Sequence, residues 1–269
     1  YYGEYSVGSG TPAALPDPCS VDPAVWRTAM PLHVQGYASG SVPTCGVSSP
    51  AVDANSPALV VRRVRGCIAG SGDCAAVTAN RGYLQVALCA DEAKNPATQY
   101  VLDLQSGTFP LHLKNCTTVA GLREYQVHIY YVSTTNGAGQ NIPTLKRLEL
   151  AGNAFSQVPM VEGIERLHIE YGIDTNGDGL PDVYQPNPST APCAAAPCTT
   201  TEIWSNWANV MTARLFVLAR NTDTSPGYTD TKTYNLGSVS AGPFNDGYRR
   251  HVYTSVVRII NPAGKRDTP

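Results

Sequence analysis

From residue 58 onward, short apolar runs recur along the chain, separated by stretches rich in glycine, proline and polar residues. The runs are ALVVRRV (58 to 64), YLQVALC (83 to 89), QYVLDL (99 to 104), YQVHIYYV (125 to 132) and LKRLEL (145 to 150). Short, rich in tyrosine and largely β-branched, they read as strands of an antiparallel sheet. From Gly163 to Ile173 the alternation is clearest: Leu167, Ile169, Tyr171 and Ile173 interleave with Arg166, His168, Glu170 and Gly172. A period of two predicts a strand with one buried and one wet face. In SNWANVMTARLFVLAR (205 to 220) helical and strand periods overlap, and a short helical turn at Trp207 to Met211 running into a strand is expected. HVYTSVVRII (251 to 260) reads as a closing strand, and residues 174 to 200 and 221 to 248 as turn-rich loops.

Residues 1 to 57 lack such a pattern. They are rich in Gly, Pro, Ser and Thr, with Trp26 and Leu32 as isolated anchors, and are expected to form an irregular segment packed on a head domain of residues 58 to 269. The predicted fold class is β-rich α+β, with antiparallel sheets and long disulfide-stapled loops. Composition agrees: the 269 residues include 24 Gly and 21 Pro, and only 15% are charged, which disfavours a helical architecture. With 19 Lys+Arg against 21 Asp+Glu the net charge is −2, and no basic run exceeds two residues. A nucleic-acid partner is therefore not expected.

Eight cysteines, at 19, 45, 67, 74, 89, 116, 193 and 198, form no Cys-x-x-Cys pair, so a thiolate zinc site is poorly supported. Their even number suits an oxidising compartment. Cys67 and Cys74 flank the turn-forming IAGSGD, and Cys193 and Cys198 flank AAAP, so each pair is expected to close a small loop. Nearness alone then assigns Cys89 to Cys116 and Cys19 to Cys45, the alternative being that some are free, buried thiols. The chain opens Tyr1-Tyr2-Gly3 and holds no run of 18 apolar residues that would span a membrane. A processed or trimmed amino terminus is expected.

Catalytic motifs are scarce. The five histidines (33, 112, 128, 168, 251) form no HExxH or HxH signature, and neither a GxSxG elbow nor a GxxxxGK[ST] loop occurs. His128 and His168 read as sheet-surface or satisfied core residues, and Glu162, Glu165 and Glu170 as a solvated face. A triad assembled by the tertiary fold remains an open alternative, but the default expectation is a protein that is not an enzyme. One motif stands out, DTNGDGLPD at 174 to 182. Asp174, Asn176 and Asp178 offer oxygens at alternate positions, Leu180 a carbonyl and Asp182 a further carboxylate, as in the first nine positions of an EF-hand loop. Hard Ca²⁺ suits such oxygens, and one site is expected. Position twelve is Gln185 rather than Glu, so a distant carboxylate such as Glu202 or Asp223 would complete it. The alternative is a bare Asn-Gly and Asp-Gly turn.

The order GIERLHIEYGID, DTNGDGLPD, WANVMTARLFVLAR and YRRHVYTSVVRIIN resembles the PilW-type minor pilins of bacterial type IV pili. YYGEY resembles the place where that family's long amino-terminal helix gives way to its head, with Glu4 where Cys is common. The resemblance implies a subunit anchored in the inner membrane by an apolar helix upstream of Tyr1. Its head would lie in the periplasm and then on the cell surface, near the pilus tip. Its implied partners are other minor and major pilins and a tip adhesin, and its implied work is to help initiate assembly. A secreted calcium-dependent carbohydrate-binding or adhesive module, using Tyr and Trp to stack on sugars, is the alternative, with a secreted hydrolase third.

Overall fold

The computed structural model describes residues 14–47, 51–95, 97 and 99–260. The YYGEY junction lies outside them. In chain order the elements are α1 (Pro23–Ala29), β1 (Val34–Tyr37), β2 (Ala58–Val64), β3 (Gly82–Val86), α2 (Ala90–Lys94), β4 (Tyr100–Leu104), β5 (Arg123–Ser133), β6 (Thr144–Ala151) and β7 (Ala154–Glu162). There follow β8 (Ile164–Ile173), β9 (Val183–Gln185), α3 (Thr200–Ala208), β10 (Val210–Arg220), β11 (Tyr234–Leu236), β12 (Val239–Ala241) and β13 (Arg250–Arg258). The fold is β-rich, with antiparallel sheets, few short helices and four disulfides. No helix among the described residues is long and apolar enough to cross a membrane.

Two sheets carry the architecture. β5 is the spine of the first: β2 pairs with it and with β1, while β3 and β6 also pair with it, leading to β4 and β7. The second has the order β13-β10-β8-β9, and β11 and β12 form a separate hairpin. Alternation along β5 makes it two-sided. Tyr125, Val127, Ile129 and Tyr131 join Val60, Leu84, Leu148 and the Trp26 of α1 in one core. Val132, on the opposite face, joins Val34, Leu167, Ile169, Tyr171, Ile173 and Trp207 in a second core between the sheets.

The chain passes from the first sheet to the second across a single residue. Gly163 donates its N–H to Pro143 O at 2.7 Å, beside the start of β6, and its carbonyl accepts from Arg220 N at 2.7 Å, at the end of β10. Its φ is +82°, and a Cβ there would stand 2.5 Å from the Arg220 carbonyl oxygen. Both conditions select glycine. A second close approach lies at Gly36 of β1, where a Cβ would meet the Tyr171 hydroxyl at 2.5 Å and the Trp207 ring at 2.8 Å. Tyr171 and Trp207 pack edge to face, with centroids 4.8 Å apart, and seat the second sheet and α3 on the first.

Several expectations need correction. The amino-terminal segment is not wholly irregular: α1 begins at Asp22, whose side chain accepts from Ala24 N at 2.8 Å, with proline next in line, and β1 pairs with β2. The helix before β10 starts earlier than Trp207, because Thr199 and Glu202 form a capping box. The polar face of β8 is not wet. His168 and Glu170 are buried, and both meet Ser238, in the turn between β11 and β12.

Two substitutions at the joint should act in opposite directions. Gly163→Ala is expected to lower stability by about 2 kcal/mol or more, through the left-handed backbone and the Arg220 carbonyl. The buried Tyr171 hydroxyl has no hydrogen-bond partner, so Tyr171→Phe should leave stability unchanged or raise it by up to about 1 kcal/mol. Urea unfolding of the two variants beside the parent checks both.

Candidate functional site

The DTNGDGLPD loop leaves β8 at Ile173 and delivers the chain to β9. Its base is tied down by Asp174 N donating to Asn209 O at 3.0 Å and Asp182 N donating to Ile173 O at 2.9 Å. Asp174 is 1% exposed. Its Oδ1 accepts from Asn176 N at 3.1 Å and Gly177 N at 2.6 Å, and its Oδ2 from Gly179 N at 2.8 Å. Asp182 Oδ2 accepts from Thr175 N at 2.7 Å, Thr175 Oγ1 at 2.8 Å and Asn176 N at 3.2 Å. Donation from the Thr175 backbone and hydroxyl and from Asn176 N holds the Asp182 carboxyl below its ordinary pKa. Asp178 Oδ1 accepts from Leu180 N at 2.8 Å, while the Asn176 amide donates to Asp178 at 3.3 Å and to Asp182 at 3.0 Å. The sequence-nominated residues thus share one loop, whose carboxylates are engaged by that loop's own donors. As they stand, no three His, Cys, Asp or Glu side chains among the described residues are grouped so as to hold a metal ion. Glu202 does not complete a cage, because its oxygens accept from Ala194 N at 2.8 Å and from Thr199 N at 2.8 Å. Asp223 accepts from the Thr222 hydroxyl at 3.2 Å.

Tertiary structure also assembles a set resembling a triad by residue type. His168 Nε2 lies 3.0 Å from Ser238 Oγ and 3.8 Å from Glu170 Oε1. Both contacts fall on the same ring nitrogen. A relay requires the base to meet the hydroxyl with one nitrogen and the orienting acid with the other, so this geometry supplies none. Glu170 Oε1 instead accepts from Ser238 N at 2.8 Å and fixes the hairpin. Burial lowers the His168 pKa, and that of His128 to about 4, which leaves both neutral near pH 7.

The densest charge cluster was not legible in the sequence. Arg250, at the start of β13, has a fully buried side chain that donates to Asp230 Oδ2 at 2.9 Å, to Asp246 at 2.6 and 2.7 Å, and to Glu165 at 2.5 and 3.0 Å. Its guanidinium stacks 3.7 Å from the Phe244 ring centroid, and Arg220 lies 3.7 Å from that of Tyr248. Asp230 also accepts from the hydroxyls of Tyr228 at 3.2 Å and Tyr234 at 3.0 Å. Glu165, expected on a solvated face, is therefore an internal counter-ion. The cluster straps the 221 to 249 loop across the second sheet. Burial alone would raise the Asp230 pKa, but donation from Arg250, Tyr234 and Lys232 N carries it below the ordinary value. Arg250 lowers that of Asp246 directly.

All four expected disulfides are present: Cys19–Cys45, Cys67–Cys74, Cys89–Cys116 and Cys193–Cys198. Cys67–Cys74 and Cys193–Cys198 close short loops, with sequence separations of 7 and 5, while Cys19–Cys45 encloses α1 and β1 and Cys89–Cys116 encloses α2 and β4.

The family model of type IV pilus-assembly protein W, PilW, matches residues 129–261. Residues 129–261 belong to the PilW family. The PilW segment starts in the middle of β5 and runs through β13, so it takes in Gly163, the DTNGDGLPD loop and the Arg250 cluster. PilW membership carries a role in type IV pilus assembly and association with pilus components, in a family that is generally not enzymatic. Four disulfides agree with an extracytoplasmic location. No curated protein and no solved structure matches the chain.

The cluster sets an acid limit. Carboxyls with depressed folded-state pKa values contribute stability that is present above the unfolded value, about 3.9 for Asp, and lost as pH falls through the folded value. The protein is therefore expected to lose stability below about pH 4, with tertiary signal from Tyr228, Tyr234 and Tyr248 disappearing. Arg250→Met should cost about 3 to 5 kcal/mol at pH 7 by stranding Asp230, and its stability should fall less steeply between pH 4 and 2 than that of the parent. Near-ultraviolet circular dichroism across that range checks both.

Proposed function

We propose that this chain is the head of a minor pilin that sits near the type IV pilus tip and helps to initiate filament assembly, contacting other pilins and a tip adhesin. The observation that carries this reading is the PilW match across both sheets, from the spine of the first to the edge of the second. The polar clusters support it, because each is spent on holding a loop: DTNGDGLPD on itself, Glu170 on the β11–β12 turn, and Arg250 on the 221 to 249 loop. We read the protein as an interaction module that catalyses no reaction. The apolar amino-terminal helix that would anchor it lies, in this reading, upstream of Tyr1.

Deleting the gene should abolish or sharply reduce surface pili, and supplying it in trans should restore them. Gold-labelled antibody against the 221 to 249 loop should decorate filament ends. Unchanged pilus number in the deletion strain, or label spread along the shaft, would contradict the assembly role or the tip location respectively.

We also propose one Ca²⁺ on Asp174, Asn176, Asp178, Asp182 and the Leu180 carbonyl. Binding requires the Asn176 amide to turn its oxygen toward the site and the carboxylates to give up some of their N–H partners. The alternation of oxygens on one short loop with a buried Asp174 supports it. At ten times Kd the ion would stabilise the fold by about 1.4 kcal/mol, or about 3 to 5 °C in melting temperature. Melting in millimolar calcium against chelator should show that rise, and Asp178→Ala should remove it. Indifference to calcium leaves a turn and nothing more.

A further inference from the structure

Sheet edges in this fold are mostly blunted. β7 carries Pro159 and Glu162, β1 has four residues, β9 three and β4 five. Short edges and prolines discourage pairing with other chains. β13 has none of these devices. Its nine residues, RHVYTSVVR, contain no proline, lysine or carboxylate, and pair with β10 in unbroken register from Arg250 to Arg258. Tyr253, Val256 and Val257 are 58, 60 and 46% exposed, and Ile260 just beyond is 72% exposed.

The ladder fixes which peptide groups point outward. Ile259 N donates to Met211 O at 2.7 Å, so the odd-numbered residues of β13 bond to β10. The peptide groups of Val252, Thr254 and Val256 then face away from the sheet. Beside this edge lies an apolar groove of about 340 Å³ between the two sheets, lined by Leu59 and Val61 of β2, Leu215 of β10, Val257 and Ile260. Its charged lining residues are all cationic: Arg62, Arg63 and Arg258. Arg63 is exposed and forms no ion pair among the described residues, whereas Arg62 is buried and its guanidinium is taken up by neutral acceptors, Gln35 Oε1 at 2.8 Å, Leu32 O at 3.3 Å and Pro16 O at 3.5 Å.

We propose that the β13 edge is a docking edge, extended by a strand from a different polypeptide that is apolar at alternate positions and carries acidic residues. The outward peptide groups supply main-chain hydrogen bonds, the groove takes alternate side chains, and its cationic lining, on which Arg63 is exposed, favours acids. A second copy of this chain is the wrong occupant, because antiparallel self-pairing of β13 brings two cationic grooves and like-charged strand ends together. The proposal rests on the assembly reading above and names the surface through which assembly would proceed.

The test uses the 269-residue chain and two acetylated peptide amides, TVTVTVEE and TVTVTVKK. With the acidic peptide, hydrogen exchange at Val252, Thr254 and Val256 should slow about tenfold or more, and fluorescence anisotropy should show clearly weaker binding of the lysine peptide. Thr254→Pro removes one outward N–H and leaves the β10 ladder intact, so it should weaken the acidic peptide about tenfold with little change in melting temperature. Val257→Glu, on an exposed side chain, should reverse the preference between the peptides. Unchanged exchange at millimolar acidic peptide, equal binding of both peptides, or protection of the same amides by dimerisation without peptide would each overturn the proposal. Pilus counts in the deletion strain decide the assembly reading separately: a bald strain with a peptide-blind β13 leaves that reading standing and removes this one.

Discussion

The fold turns on Gly163. One residue separates the last position of β7 from the first of β8, and those positions belong to different sheets. A change of sheet over so short a span requires a backbone with positive φ, and the Arg220 carbonyl fills the space a side chain would take. The glycine's N–H serves the first sheet and its carbonyl the second, so both ladders begin from one fixed point. From there β8 runs back along the first sheet with Leu167, Ile169, Tyr171 and Ile173 turned inward, and Trp207 closes the far end over Gly36. The two sheets are thereby obliged to share a core.

That constraint explains where the polar residues went. Covering both faces of β8 beyond Arg166 leaves His168 and Glu170 little open solvent, so they must find partners inside, and the β11–β12 turn provides them. Glu165 stands in the same situation nearer the switch point and is matched by Arg250. With only 15% of the chain charged, a large share of its ionic chemistry is consumed in fixing loops. A scaffold whose loops are held this firmly presents a defined outer surface, which is what a subunit that works by docking requires.

Much of this was legible in the sequence, for identifiable reasons. Alternation in GIERLHIEYGI marked β8 because one face is uniformly apolar, and cysteine proximity sufficed for the disulfides because each cysteine bonds to its neighbour in cysteine order, two pairs across short loops and two across a helix and a strand. The helix α1 escaped a periodicity reading because seven residues make barely two turns, although Asp22 followed by Pro23 was a start signal. Thr199 and Glu202 carried the same kind of signal for α3. β7 was hidden by its exposed residues on both faces and by Pro159. The Arg250 cluster could not have been read: Glu165, Asp230, Asp246 and Arg250 come together only once the second sheet has formed, and nothing in their spacing distinguishes them from surface charges.

Native-state hydrogen exchange across a denaturant series tests the central claim, that the single-residue switch binds both sheets into one cooperative unit. Amides of Val127 and Ile129 in β5 and of Ile169 and Tyr171 in β8 should converge on one opening free energy and one denaturant dependence. If β8 and β10 opened as a separate unit, at a free energy well below that of β5, the account of a shared core organised at Gly163 would be contradicted.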